Sequence, residues 1–300
     1  MTDIKNITII GAGAMGSQIS MVCALRGFET VAFDPEQAAI DTAETTLRER
    51  MSRDVTKGRR TNEDVDSAFS RLTLTTDMAA ALEKADMVIE AAVENLDVKH
   101  ELFTQFERLA PPHAVLASNT SGFVPSKIAQ AVADPGRVIV MHFFNPALVM
   151  RCVEVVCGPD TRDEVRDLTV GLVDALGKTP VVLAKEIPGF VANRILNAVR
   201  DEAIFLLENG ITDVESIDTA CRTALGYPMG PFELMDLTGI DIGYRTKTAR
   251  FEETRDPADA PSVSVTRLVE DGHLGRKTAR GWYQYDADGN KIKGATWTSH

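Results

Sequence analysis

"NITIIGAGAMG", residues 6–16, runs from a string of β-favouring apolar residues directly into glycines spaced GxGxxG. That spacing alone is a weak pattern, and its context makes it specific. An apolar strand precedes it, the helical pattern "MGSQISMVCALRG" (15–27) follows, and Asp34 stands 18 residues after Gly16 at the end of the next strand, "TVAFDP". Each part has a physical task. Gly11 permits the tight turn, Gly13 lets a pyrophosphate approach the backbone, and Gly16 lets the helix pack on the strand. Ala12, Ala14 and Met15 fill the same turn, and the helix N-terminus offers free N–H groups and positive potential. Asp34 would accept from the adenosine ribose hydroxyls and repel a 2′-phosphate, which favours NAD over NADP. The competing reading is a structural glycine turn with a surface aspartate.

Outward from this turn, apolar runs recur: "ADMVIEAA" (85–92), "HAVLASNT" (113–120), "RVIVMHFF" (137–144), "RCVEVVC" (151–157) and "TPVVLA" (179–184). Helical patterns lie between several of them, including a charged helix from Pro35 to about Asp54. Apolar strands bounded by helices imply a parallel sheet covered on both faces. After "PGF" (188–190) the pattern becomes almost wholly helical. Pro188 in a first turn, the stripe Val191, Ile195, Val199, Phe205 and Leu206, and a closing Gly210 frame one long helix. The expected fold class is α/β: a Rossmann-type doubly wound sheet over residues 1–186 and an all-helical domain over 187–300.

With 300 residues and a formal charge of −12, the chain does not suit bulk nucleic acid or an anionic membrane, which require a basic surface. No apolar run approaches the roughly 18 residues of a membrane span, and "MTDIKNITII" has no basic region followed by an apolar signal core. Cys23, Cys152, Cys157 and Cys221 lie in apolar settings without CxxC spacing, so they read as reduced core residues, or as one redox pair, in the cytosol. The five histidines and four cysteines show no metal-ligand spacing, so no metal is expected.

Several polar positions interrupt this apolar framework. "MHFFNPALVMRCVEVV" (141–156) sets His142 and Glu154 in a stretch where both are costly to bury without a partner. They read as a satisfied structural pair or as a catalytic one. Glu94 follows an apolar strand, where ligands of open α/β sheets bind, or else complements a helix dipole. Ser118, Asn119, Thr120 and Ser121 form a polar cluster that equally suits turns and caps. Asn193 lies among apolar neighbours near a helix start and needs a partner from protein or substrate. "RERMSRDVTKGRR" (48–60) is a basic island in an acidic chain. It reads as a solvated helix end, or as a lure for a second phosphate-bearing group such as the 3′-phosphorylated ADP of coenzyme A.

Taken in order, "GAGAMG", "VIEAAVENLDVKHELF", "ASNTSG", "MHFFNP", "VEVV", "PGFVANRIL", "GYPMGPFELMDLTGID" and "GRKTARGWYQY" closely resemble the L-3-hydroxyacyl-CoA dehydrogenases, including bacterial 3-hydroxybutyryl-CoA dehydrogenases. The likeness runs from residue 6 to about 285. It implies that His142 is the catalytic base and that Glu154 orients and polarises it. It also implies that Ser121 and Asn193 contact substrate, Ser121 reaching the nicotinamide as well. Glu94, Lys99, Asn145 and Lys277 match positions lining the NAD site. Coenzyme A contacts fall at Thr46 and Arg53, where the family typically has Ser and Lys. Gly122 and Phe123 replace the more usual polar residue and aliphatic, which bears on acyl-chain preference. The implied activity is reversible, NAD-dependent oxidation of an (S)-3-hydroxyacyl-CoA, with a short acyl chain favoured. The acyl-CoA would lie between the domains, and the chain would form a homodimer through its C-terminal domain. A free hydroxy-acid dehydrogenase and a non-catalytic NAD-binding protein are the competing readings.

Overall fold

The computed structural model describes residues 4–297; residues 1–3 of the first expected domain and 298–300 of the second lie outside the described residues. The chain divides into two compact units, Met1–Val191 and Ala192–His300. The expected boundary near 186 falls in the connection before Ala192.

In the first unit the order is β1 (Asn6–Ile10), α1 (Ala14–Leu25), β2 (Glu29–Phe33), α2 (Gln37–Thr56), α3 (Asn62–Arg71), β3 (Leu72–Thr75), α4 (Met78–Leu82), β4 (Met87–Glu90), α5 (Leu96–Leu109), β5 (Val115–Ser118), α6 (Pro125–Ile128), β6 (Val138–Phe143), β7 (Cys152–Cys157), α7 (Asp163–Ala175) and β8 (Thr179–Leu183). The eight strands form one sheet in the order β3-β2-β1-β4-β5-β6-β7-β8. The first six are parallel and follow the doubly wound order, with the reversal between β1 and β4, where such sheets bind dinucleotides. Two apolar layers explain the continuous apolar runs. Ile7, Ile9, Met141, Val153 and Val155 pack on one face, and Val88, Leu116, Val140, Val156 and Phe190 on the other.

The sheet departs from the expected all-parallel one at β7, which runs antiparallel to β6; β8 then runs parallel to β7. The cause is the connection 144–151, too short for the dozen or more residues that a parallel crossover needs. A second departure is β3. Its "LTLT" follows α3 without a break and pairs only with β2 at the sheet edge.

The second unit holds α8 (Ala192–Glu208), α9 (Val214–Thr223), α10 (Pro231–Thr238), α11 (Ile240–Thr254), α12 (Val263–Glu270) and a two-stranded ribbon, β9 (Tyr283–Tyr285) with β10 (Lys291–Thr296). Pro188 therefore lies ahead of the long helix instead of in its first turn. Gly189 and Phe190 both take positive φ, 78° and 50°, which no helix accommodates, so α8 starts later. Of the expected stripe, Ile195 (59%) and Phe205 (55%) are exposed, while Ala203 and Ile204 enter the core beside Phe232 and Trp282. Buried carboxylates fix the ribbon: Asp236 accepts from the N–H groups of Trp282 and Tyr283 and from the Tyr285 hydroxyl, and Asp218 accepts from the Tyr283 hydroxyl.

Candidate active site

At the carboxyl end of β1 the glycines shape a tight turn. Gly11 has φ +103°, and a Cβ there would lie 2.7 Å from the Ala91 carbonyl oxygen. A Cβ on Gly16 would lie 1.8 Å from the Gly11 oxygen, so only glycine lets α1 approach the strand. A Cβ on Gly13 would meet nothing within 4 Å, and Gly13 caps α1 without any side-chain hydrogen bond. The first turn of α1 thus faces open space, which suits a pyrophosphate on its N–H groups. Asp34, just past β2, accepts from the N–H of Ala12 (2.9 Å) and of Glu36 (3.1 Å), which fixes its carboxylate beside the turn. Gly11, Gly13, Met15, Asp34, Ala92 and Asn119 help line a cleft of about 870 Å³. These residues fit NAD.

Beside the cleft lies a network that the sequence did not suggest. Lys99 and Glu90 are both fully buried. Lys99 Nζ donates to the two Glu90 oxygens at 2.9 and 2.8 Å and lies 3.2 Å from Glu94 Oε2. Glu90 also accepts from the Ser118 hydroxyl (2.5 Å) and the Ala92 N–H (2.7 Å). The other oxygen of Glu94, Oε1, accepts from the Thr120 hydroxyl (2.6 Å) and from the N–H groups of Ser121 (3.2 Å) and Gly122 (2.9 Å). Asn119 Oδ1 accepts from the Phe143 N–H. In the polar cluster Ser118, Asn119 and Thr120 therefore hold the fold together, while Ser121 is exposed. The Lys99 ammonium, expected to line the NAD site, is instead shielded from solvent by its pairing with Glu90 and Glu94. The signal for this pair was Glu90 itself, an acid ending an apolar strand.

His142 and Glu154 occupy directly opposed positions of β6 and β7. Antiparallel pairing sets opposed side chains on one face, and this is what brings them together. His142 Nδ1 and Glu154 Oε2 are 2.7 Å apart, with His142 7% and Glu154 1% exposed. Glu154 Oε1 accepts from the Val191 N–H at 2.9 Å, so a positive-φ turn just ahead of α8 holds the carboxylate. The rings of Phe144 and Phe190 flank the imidazole at 4.4 and 5.6 Å between centroids. Among the described residues only Nδ1 of the imidazole is hydrogen-bonded. A histidine with one nitrogen held by a carboxylate and the other free is arranged to take up a proton.

The other expected positions are dispersed. Asn145 is exposed in the connection between β6 and β7. Thr46 and Arg53 are both exposed on α2, seven residues apart and so on one side of the helix. Arg48 pairs with Glu44, and Arg50 and Arg59 reach the buried Asp54 at 3.7 and 3.4 Å, so part of the basic island is neutralised locally. In the second unit, Asn193 lies in the first turn of α8, and Lys277 is paired with Asp241. All four cysteines are free. No helix among the described residues is long and apolar enough to cross a membrane.

Known proteins resemble this chain over nearly its whole length. Residues 6–187 match the NAD binding domain of 3-hydroxyacyl-CoA dehydrogenase, and residues 189–285 match the C-terminal domain of the same family. The probable 3-hydroxybutyryl-CoA dehydrogenase of Bacillus subtilis is 37% identical, over 95% of this chain and 98% of the relative. The mitochondrial hydroxyacyl-coenzyme A dehydrogenase of Homo sapiens is 38% identical, over 94% of this chain and 91% of the relative. The crystal structure of (S)-3-hydroxybutyryl-CoA dehydrogenase from Ralstonia eutropha superposes with a TM-score of 0.88 at 36% identity, covering 95% of this chain and all (100%) of that one. With a glycine turn shaped for a dinucleotide and both family domains in order, the chain belongs to the 3-hydroxyacyl-CoA dehydrogenases and is an NAD-dependent oxidoreductase.

Proposed function

We propose that the enzyme reversibly oxidises short-chain (S)-3-hydroxyacyl-CoA, 3-hydroxybutyryl-CoA foremost, to the 3-ketoacyl-CoA, with His142 as general base and Glu154 as the residue that orients it. The observation that carries this reading is the 2.7 Å contact between His142 Nδ1 and Glu154 Oε2 on a buried face, with Nε2 left free. The names of the Bacillus subtilis and Ralstonia eutropha relatives support the short chain.

Oxidising a secondary alcohol requires a hydroxyl proton and a hydride to leave, and no protein side chain accepts a hydride. Bound NAD supplies the hydride acceptor. The chain handles the proton. With Nδ1–H donated to Glu154, the neutral tautomer presents a basic Nε2 to the substrate hydroxyl, and the carboxylate stabilises the imidazolium that forms. In the reverse direction the imidazolium returns its proton to the keto oxygen. Ser121 and Asn193 orient the hydroxyl or thioester oxygen. Gly11 to Gly16 and Asp34 bind the dinucleotide, and Glu94, Lys99, Asn145 and Lys277 are further positions for NAD. Thr46 and Arg53 serve coenzyme A. Residues 1–186 bind NAD, and residues 187–300 bind substrate and form a homodimer, for which the exposed Ile195, Phe205 and Ile242 supply apolar surface. Four free thiols suit the reducing cytosol.

NADH consumption with acetoacetyl-CoA is the test. His142→Gln should lose about 100- to 10,000-fold in kcat, the usual value of a general base. A variant within a few-fold of wild type removes His142 from the chemistry. Equal rates on free 3-keto acids remove the thioester, and a series of 3-ketoacyl-CoA chain lengths fixes the preference. Oxidation releases a proton, so raising the pH shifts the equilibrium toward the ketone.

A further inference from the structure

A second cavity, of about 530 Å³, opens where the end of α1 meets the turn between α2 and α3, at the opposite end of α1 from the glycine turn. Arg26, Arg59, Arg60 and Arg71 line it, together with Glu63 and Asp64. Arg59 is engaged with the buried Asp54. The other three arginines form no ion pair within 4 Å among the described residues. Arg26 Nε donates to the Leu176 carbonyl oxygen and Arg71 to that of Ser67, which spends part of each fork and leaves its charge unmatched. Arg60 Nε is buried with no hydrogen-bond partner. The two acids offset part of this charge, the Thr61 hydrogen bonds and then Arg60 holding the Asp64 carboxyl below its usual range, and against three arginines they leave the cavity net positive. The Asp64 carboxylate caps α3, accepting from the Thr61 N–H at 3.0 Å, and Glu63 is exposed.

Arginines in a chain of net charge −12 have many carboxylates within evolutionary reach. Three unpaired guanidinium groups around one cavity therefore point to an anion from outside. The field is felt nearby: Lys178, whose ammonium donates to the Ala147 and Met150 carbonyl oxygens, is held below the ordinary lysine range, first by burial and then by Arg26 and Arg60. A single carboxylate ligand would match one fork and leave two charges, whereas a phosphate monoester brings about two negative charges and three acceptor oxygens.

We infer that this cavity is a phosphate-binding site separate from the dinucleotide cleft, with Arg26, Arg60 and Arg71 taking a phosphate monoester or diphosphate. The phosphate comes either from the nucleotide end of the coenzyme A substrate, a source that rests on the function proposed above, or from a free phosphorylated metabolite. Thr46 and Arg53 are not part of the cavity.

The probe is adenosine 3′,5′-bisphosphate, titrated by calorimetry into the intact protein, with inorganic pyrophosphate alongside and sodium chloride of equal ionic strength as the blank. Wild type should bind both probes, and Arg60→Gln/Arg71→Gln should bind at least tenfold more weakly, at about tenfold for a lost charge-assisted contact. Arg26→Gln, at an exposed residue, is the second variant should the double substitution lose its native circular dichroism. Equal affinity in wild type and both folded variants, or no binding by wild type, overturns the site. Kinetics separate the sources. If coenzyme A supplies the phosphate, the variants raise KM for acetoacetyl-CoA about tenfold and leave kcat and the KM of S-acetoacetylpantetheine unchanged. If a free metabolite supplies it, both KM values stay unchanged while bisphosphate binding is lost. Failure of wild type to reduce either thioester refutes the proposed activity and leaves the calorimetry to decide the phosphate site.

Discussion

Replacing Lys99 by methionine removes the one cation of the buried network beside the cleft and keeps most of its shape. In the native protein its ammonium satisfies both oxygens of Glu90 at 2.9 and 2.8 Å, and neither side chain reaches solvent. After the substitution Glu90 retains the Ser118 hydroxyl and the Ala92 N–H, which are neutral dipoles. Removing one partner of a buried pair costs about 3–5 kcal/mol, because the remaining charge stays desolvated. Unfolding entropy of about 2 cal/mol/K per residue converts this to a fall in Tm of about 8–13 °C if the first unit melts alone, and about 5–8 °C if the whole chain melts together. Neutralising both partners removes the penalty, so Glu90→Gln/Lys99→Met should regain more than half of the loss. Scanning calorimetry on the three proteins decides it. A Lys99→Met protein melting within 2 °C of wild type refutes the reasoning, as does a double variant no more stable than the single one. Activity provides a second arm. Because the ammonium is shielded, Lys99 reaches the cofactor only through Glu94 and the turn at 120–122, so Glu94→Gln should add little to the loss of NAD affinity already caused by Lys99→Met.

Two glycines of the same turn should fail in different ways. A valine at Gly13 enters open space, so the protein should keep its melting temperature and lose NAD affinity by at least tenfold in a fluorescence titration; a valine at Gly16 collides with the Gly11 carbonyl and should leave little folded protein. Unchanged NAD affinity in the Gly13 variant would remove the pyrophosphate from this turn. At high pH the second unit should weaken through two buried tyrosines. Burial, then Asp218 for Tyr283 and Asp236 for Tyr285, raises both phenols well above the ordinary tyrosine range. Their folded-state pKa values are raised, so the stability they contribute is complete below about pH 10. It falls by about 1.4 kcal/mol per pH unit for each tyrosine above that, where the unfolded chain ionises and the folded one does not. Urea unfolding between pH 9 and 11.5 should show this slope in wild type and lose it in Tyr283→Phe/Tyr285→Phe; an equal slope in both assigns the alkaline limb to other groups.

How much of this was legible in the sequence depends on whether a feature is written in one segment or in the relation between two. The interior strands are buried on both faces, so their own composition announces them, and the glycine turn carries its geometry in three residues. "LTLT" at 72–75 is an edge strand, half-buried and attached to a helix with no turn residue between, so nothing in its composition marks it. The ribbon at 283–296 depends on Asp236, more than 45 residues upstream, whose carboxylate takes the N–H groups that would otherwise lack partners. "DVKHELF" likewise reads as an amphipathic helix start; that Lys99 is interior follows only from the acid that ends β4. His142 and Glu154 are the instructive exception. They too are a relation between segments, but each alone is a polar residue in an apolar strand, and the cost of leaving either unpaired demands a partner. The reversed strand then supplies one: a connection of residues 144–151, too short to cross the sheet, turns β7 back along β6 and sets residue 154 opposite 142. Loop length, a property of the sequence, thus determines the antiparallel register on which the proposed proton chemistry depends.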